Sequence, residues 1–513
     1  MRGSRAAGMI LAGLPVEGQG AAGSEEIIDR YASAGIAAFL FPGLALLDPE
    51  RLGSLAAKAR QACSAAGLGR PLIAIGGSPG PGFGLPPWPR GPSPLGIAAL
   101  GSRQAAKRAG RLLGLELAAC GVDLVLAPRL DLATDPKDSA GVLDGFGQDP
   151  RLASALGAAF VRGLGSAGVA ACAGRFPGLG STCAECFDGL SFVSLPAERL
   201  EAVEMRPFAA AVRGGIDAIL VGRAFVPAFE PERIPAARSA RVIEGRLRAQ
   251  LGFRGLVIGD GLGGEKARDN AVLLGALAGC DLCLVADPDE ALSAASALAA
   301  ALASGEMPEP RLHVATRRLG RFLSHWPSRP ESGARPPHGR LGLRVERDRS
   351  EALAVLRGGP FEALPAEGLL VAVFVPPAGS PDAAETEAAL EALGSAFPGA
   401  QILALPNDPD FGKADSVAAL LSEKGFRAAA ILTCDAHLHP AQESLARLIE
   451  DAVPRSIVVA MRDPYDAAFF PRAEALVAAF GFSAGGAAAV ARLLSGRAQA
   501  AGRSPVEVIG IEL

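Results

Sequence analysis

The chain has 513 residues, with 50 Lys and Arg against 54 Asp and Glu and a formal net charge of −4. At roughly 150 residues per domain this length predicts two or three domains. A composition that is half hydrophobic and one-fifth charged excludes a disordered or fibrous chain, and the balanced charge excludes a dedicated nucleic-acid binder.

The N-terminus, Met1-Arg-Gly-Ser-Arg-Ala-Ala-Gly-Met-Ile10, carries two arginines and then a short apolar run. Val16-Glu17-Gly18 is not a small-residue cleavage site, so residues 8–13 are read as a first strand rather than a signal peptide. No stretch reaches the roughly 18 apolar residues of a membrane span. Eight scattered cysteines in so long a chain fit a reducing cytoplasm better than a disulfide framework.

Apolar runs then recur at 36–41, 71–75, 123–127, 168–173, 217–221, 255–259 and 281–286. Helical patterns lie between them, at 103–120, 149–167, 196–214 and 289–304. Strands that are apolar on both faces and each followed by a helix predict a parallel sheet. Eight such units predict a closed (β/α)8 TIM barrel over residues 1–326, with an open doubly wound sheet as the alternative. Residues 327–342, rich in Pro, Gly and Arg and without periodicity, read as a linker. Over 343–513 the runs LLVAVFV, QILALP, AAAILTC and SIVVAM, closed by VEVIGIEL, predict a C-terminal α/β sandwich domain.

Barrel chemistry sits at the C-terminal strand ends. The third strand ends in Gly76-Gly-Ser-Pro-Gly80 and the fourth in Ala127-Pro-Arg-Leu-Asp131. The fifth runs into Gly174-Arg-Phe-Pro-Gly-Leu-Gly180 and then Cys183, Glu185, Cys186 and Asp188. The sixth ends at Gly222-Arg223 and the seventh at Gly259-Asp260-Gly261.

These ends resemble glycoside hydrolase family 3, together with Gly145-Phe-Gly-Gln-Asp-Pro150, the segment from Arg238-Ser239 through Leu251-Gly-Phe-Arg-Gly-Leu-Val-Ile-Gly-Asp260, Arg462-Asp-Pro-Tyr-Asp466 and Gly502-Arg-Ser-Pro-Val-Glu507. The branch most similar is that of the two-domain β-N-acetylhexosaminidases, which act on cell-wall amino sugars. The resemblance implies a retaining mechanism, in which a carboxylate after strand seven attacks the anomeric carbon and water later hydrolyses the glycosyl-enzyme. Asp260 stands at that nucleophile position; without the resemblance it would read equally as a cap of the next helix.

The rest of the family's site is substituted. The sugar-binding Asp-x-Glu-Gly-Gly of relatives is Gly76-Gly-Ser-Pro-Gly80 here, and their Lys-His is Gly174-Arg175. Further histidines of relatives fall on Leu179 and Arg223, and a sugar-binding arginine falls on Asp144. The Asp-x-His pair that supplies the acid/base in the hexosaminidase branch falls on Glu185 and Phe187. The chain has five histidines, and none precedes His313. The expectation is therefore a glycosidase fold with weak or lost hydrolysis, since general acid catalysis alone supplies roughly 10²–10⁴-fold. Glu185 becomes an acid only if an apolar pocket near Leu179 and Phe187 raises its pKa; the bland alternative is an exposed loop glutamate.

Arg175 and Arg223, with Arg129 near, suit a carbohydrate or cell-wall-derived ligand bearing an anionic group, bound without catalysis. Pairing of these arginines with Asp131, Asp144 and Asp260 in a salt-bridge network is the competing reading. Gly259-Asp-Gly-Leu-Gly-Gly264, followed by Asp287, has the form of a dinucleotide loop, but it falls on the last two strands rather than the first. Cys183/Cys186 and Cys280/Cys283 form two C-x-x-C pairs; zinc needs four converging thiolates, and a strand turns positions three apart to opposite faces. His437 and His439 read as helix caps or solvent-facing groups. No metal or cofactor is expected.

Overall fold

The structure, a computed structural model, describes residues 2–510 except 16–22, 44–47, 78–89, 188–189, 263–269, 327–338, 366 and 381. At 2–4, 139–140, 183–187 and 190 it describes the backbone alone. Among the described residues of the first half ten strands form: β1 (Ile10–Gly13), β2 (Ala38–Phe41), β3 (Leu72–Gly76), β4 (Leu124–Leu126), β5 (Ala170–Phe176), β6 (Cys183–Phe187), β7 (Leu190–Phe192), β8 (Ala218–Val221), β9 (Leu256–Gly259) and β10 (Leu282–Val285). All but β6 and β7 close into a parallel barrel in the order β1-β10-β9-β8-β5-β4-β3-β2. The unforeseen pair β6–β7 is an antiparallel hairpin after β5.

Alternation along each strand builds the barrel. Leu72 and Ala74 of β3 face the lumen with Leu124, Cys172, Ile258 and Leu282, while Ile73 and Ile75 face the surrounding helices. Phe322, from the helix Glu309–His325, plugs the lumen floor. Helix starts follow capping chemistry: the Asp48 and Asp149 carboxylates accept from the first turns of the helices they precede, and both helices open on proline. Asp287 does the same for the helix Pro288–Ser304, accepting from the Glu290 N–H at 2.9 Å. The dinucleotide-like motif thus falls on the last two strands of a closed barrel, and residues 263–269 within it lie outside the described residues.

The second sheet contains β11 (Ala354–Arg357), β12 (Leu369–Val375), β13 (Gln401–Pro406), β14 (Ala428–Thr433), β15 (Ser456–Ala460) and β16 (Ala475–Ala478). Its order is β11-β16-β15-β14-β12-β13, parallel except for β11. One face packs on its own helices; the other shares a core with Leu95, Ala133, Val142 and Leu143 of the barrel half. The closing VEVIGIEL run is no strand over its described residues. Val506 and Val508 instead enter the core shared by the two halves. The preceding Gly502-Arg-Ser-Pro segment straps onto the barrel: Arg503 N–H donates to Ala99 O and Gln148 N–H to Pro505 O. No helix among the described residues is long and apolar enough to cross a membrane.

His437 also ties the halves together. Its Nδ1 lies 2.8 Å from Asp466 Oδ1 and its Nε2 2.9 Å from Pro136 O in the barrel half. Burial opposes the charged ring, but the Asp466 hydrogen bond and the Asp463 charge prevail, raising the imidazole from an ordinary 6.5 to about 9. A group raised on folding stabilises fully below its unfolded pKa and loses that contribution as pH rises through the folded value. The contact is therefore complete below pH 6.5 and lost through about pH 9. Thermal melts of wild type and His437→Ala are expected to differ most at pH 6 and to converge above pH 9, with a gap of roughly 3 kcal/mol.

Candidate functional site

At the C-terminal end of β9, Asp260 N–H donates to Val221 O, fixing the residue beside the end of β8. Gly261 follows at φ 62°, and a Cβ there would stand 2.3 Å from Arg223 Cδ. Only glycine lets the chain turn while the Arg223 stem lies across it. Burial pushes the Asp260 carboxyl up, and the Arg175 and Arg223 charges pull against that shift.

Asp260 opens onto a cavity of about 260 Å³ at the strand ends, lined also by Arg129, Asp144, Arg175, Gly77 and Leu220. A Cβ on Gly77 would meet the Leu126 carbonyl at 1.9 Å, so the two loops touch backbone to backbone there. Asp144 closes the short helix Ser139–Asp144 and is 9% exposed.

Asp131 does not line the cavity but sits under it, 1% exposed. Its carboxylate accepts from Arg129 Nε at 2.7 Å, Arg175 Nε at 3.2 Å and Leu179 N at 2.8 Å. Burial would raise this carboxyl, yet the Arg129 and Arg175 charges outweigh it and hold it below the usual carboxylate range. Arg129 reaches on to Asp138 Oδ2 at 2.8 Å. Arg175 keeps about a third of its side chain exposed, and Arg223 is exposed.

Of the residues expected from sequence, the structure gathers Asp260, Arg175, Arg223, Asp131 and Asp144 around one mouth. Glu185 is on β6, in the hairpin after β5; its side chain and that of Phe187 lie outside the described residues. Leu179 packs against Gly222, where a Cβ would be 2.5 Å from its Cδ1. Among the described residues no imidazole lines the cavity: His313 and His325 are on the helix Glu309–His325, and His437 is held by Asp466. Cys280 and Cys283 are buried free thiols turned toward the Ala237 and Val272 carbonyls.

Two contributors were not anticipated. Asp138 is the second anchor of Arg129, and nothing in its sequence context marks it. Glu204 is buried behind the Phe176-Pro-Gly178 turn, 3.4 Å from Arg199; burial raises its carboxyl against the Arg199 charge. Gly178 has φ 115° and its Cα faces Glu204, a Cβ there falling 2.9 Å from Glu204 Cβ. That contact gives the turn its need for glycine.

Residues 16–322 match the profile of the glycosyl hydrolase family 3 N terminal domain. The chain belongs to glycoside hydrolase family 3. A β-hexosaminidase of Xylella fastidiosa (strain 9a5c) is 35% identical over 193 residues, 37% of this chain and 56% of that protein. One of Stenotrophomonas maltophilia (strain K279a) is 36% identical over 200 residues, 37% of this chain and 58% of that protein. The chain thus spans little more than half the length of these family 3 relatives. Among solved structures it is similar to a family 3 β-N-acetylglucosaminidase from Paenibacillus sp. str. FPU-7, with a TM-score of 0.88, 25% identity and 98% of each chain covered.

Proposed function

We propose that this family 3 protein is β-N-acetylhexosaminidase-like in its ligand, taking a carbohydrate or cell-wall-derived fragment, and that it cleaves glycosidic bonds weakly or not at all. The observation that carries this reading is the chemistry of the cavity wall. The ionisable groups among its described residues are Arg129, Arg175, Asp144 and Asp260, with no imidazole. Guanidiniums do not release protons near neutral pH.

Retaining hydrolysis needs a nucleophile on one face of the sugar and a proton donor at the leaving oxygen. Asp260 is the nucleophile in this reading, and Arg175 and Arg223 favour its ionised form. Glu185 occupies the position of the family's acid-bearing pair, and any Asp260-dependent hydrolysis should fall with Glu185→Gln. Without that donor the alkoxide departs unassisted.

A second reading, binding without catalysis, draws on the arginines. Arg175 shares Asp131 with Arg129 and keeps part of its guanidinium exposed, so it retains donors for a carboxylate or phosphate on the ligand. Asp131 acts here through Arg175 rather than by touching ligand, and Asp144 offers an acceptor for sugar hydroxyls.

Melting temperature with an acidic muropeptide separates the readings. The binding account predicts a saturable rise that Arg175→Ala removes, with affinity falling roughly 10- to 100-fold for the lost charged hydrogen bonds. A rise that survives in Arg175→Ala counts against an arginine-held anion.

A further inference from the structure

The opposite end of the barrel holds a second cavity, of about 200 Å³, where β8 and β9 begin. Arg254 comes from the loop into β9, and Arg318, Arg321 and His325 come from one face of the helix Glu309–His325 that crosses the floor. Leu256 and Phe322 form its apolar base. Asp217, just before β8, is the one carboxylate among its described lining residues.

The charges around this cavity do not balance. Asp281, fully buried at the start of β10, accepts from Arg248 at 2.7 Å and Arg318 at 2.9 Å, with Arg311 at 3.5 Å. Three guanidiniums therefore share one carboxylate, and Arg318 reaches the cavity with its partner already divided. Arg254 and Arg321 have no ion-pair or hydrogen-bond partner among the described residues. Burial raises the Asp217 carboxyl, with the His325 charge pulling against it.

The C-terminal end of a helix would ordinarily repel an anion, through its free carbonyls. Here Arg70 covers them. Its Nη1 donates to Leu323 O at 2.7 Å and Trp326 O at 2.6 Å, while the same guanidinium pairs with Asp123. The negative helix end is thereby masked, and a surplus of donors faces a cavity with an apolar base.

We propose that this cavity is a phosphate-binding site, in which Arg254 and Arg321 clamp the oxygens and His325 adds a third donor. Donors arriving from the β9 loop and from successive turns of a helix are not coplanar, which suits a tetrahedral dianion better than a planar carboxylate. The site accepts inorganic phosphate or the phosphate of a small monoester such as a hexose phosphate, the volume leaving room for the organic part. It is independent of the strand-end cavity and of any reading of what that cavity binds.

The test is calorimetric titration and thermal melting of the full chain with orthophosphate and with glucose 6-phosphate, at ionic strength held constant with chloride. Saturable binding is expected, with melting temperature rising as ligand exceeds Kd. Arg254→Ala and Arg321→Ala should each weaken it roughly 10- to 100-fold, while the part of the binding that depends on these two arginines persists in Arg175→Ala at the other end. Tighter binding of glucose 6-phosphate than of orthophosphate assigns the site to a monoester; equal binding assigns it to free phosphate. Absence of saturable binding by both, or binding that Arg254→Ala and Arg321→Ala retain, or binding that Arg175→Ala abolishes, overturns the proposal. Ligand-free melts of each variant confirm that these exposed positions leave the fold intact.

Discussion

Replacing Asp131 by alanine is expected to destabilise the chain by roughly 3–5 kcal/mol, because removing one partner of a buried ion pair leaves the other charge uncompensated. The carboxylate is 1% exposed and serves two guanidiniums and the Leu179 amide at once. Without it Arg129 keeps Asp138, but Arg175 loses its only ion-pair partner among the described residues, and the turn from β5 loses the acceptor that fixes Leu179. Asp131→Asn keeps an acceptor for the Leu179 amide and so should cost less than Asp131→Ala. Urea unfolding of the two variants beside wild type checks the order. A loss below about 1 kcal/mol for Asp131→Ala would place these ions among the weak surface pairs.

The second large effect concerns the leaving group. A site with a carboxylate nucleophile and no proton donor should cleave only aglycones that depart as stable anions. On the proposed reading, turnover of a dinitrophenyl β-N-acetylglucosaminide, dependent on Asp260, is the most to be expected. Passing to an alkyl aglycone should lower the rate by at least the roughly 10²–10⁴-fold that a general acid supplies. Similar rates for the two would mean that a proton reaches the leaving oxygen, and Glu185→Gln would then identify or exclude Glu185 as its source.

How far the sequence foretold this molecule follows from where its information lies. All eight barrel strands were legible, because each is a short apolar run buried on both faces and flanked by turn residues. β16 was missed, since Ala475–Ala478 is a four-residue strand in an alanine-rich neighbourhood. VEVIGIEL was misread for the converse reason: Val506 and Val508 are apolar for the sake of the core between the two halves, not for a sheet ladder. Arg175, Arg223 and Asp260 could be placed at one mouth because strand ends are fixed by the fold, whereas Asp144, at the end of the helix Ser139–Asp144, was reached only through the family resemblance. Asp138 and His437 were not assigned their partners, since Arg129 and Pro136 reach them only through loop geometry and domain packing that no local pattern encodes. Asp217 and Arg254 sit at the N-terminal ends of β8 and β9, where no strand-end motif marks a site in the sequence.

The proposed loss of hydrolysis rests on a cavity whose described residues include no proton donor beside Asp260. The measurement that bears on it most directly is kcat/KM on an unactivated β-N-acetylglucosaminyl disaccharide, wild type beside Asp260→Ala. The account predicts that the two are indistinguishable from background. A kcat/KM in the ordinary enzymatic range of about 10⁴–10⁸ M⁻¹s⁻¹ that disappears in Asp260→Ala would contradict it.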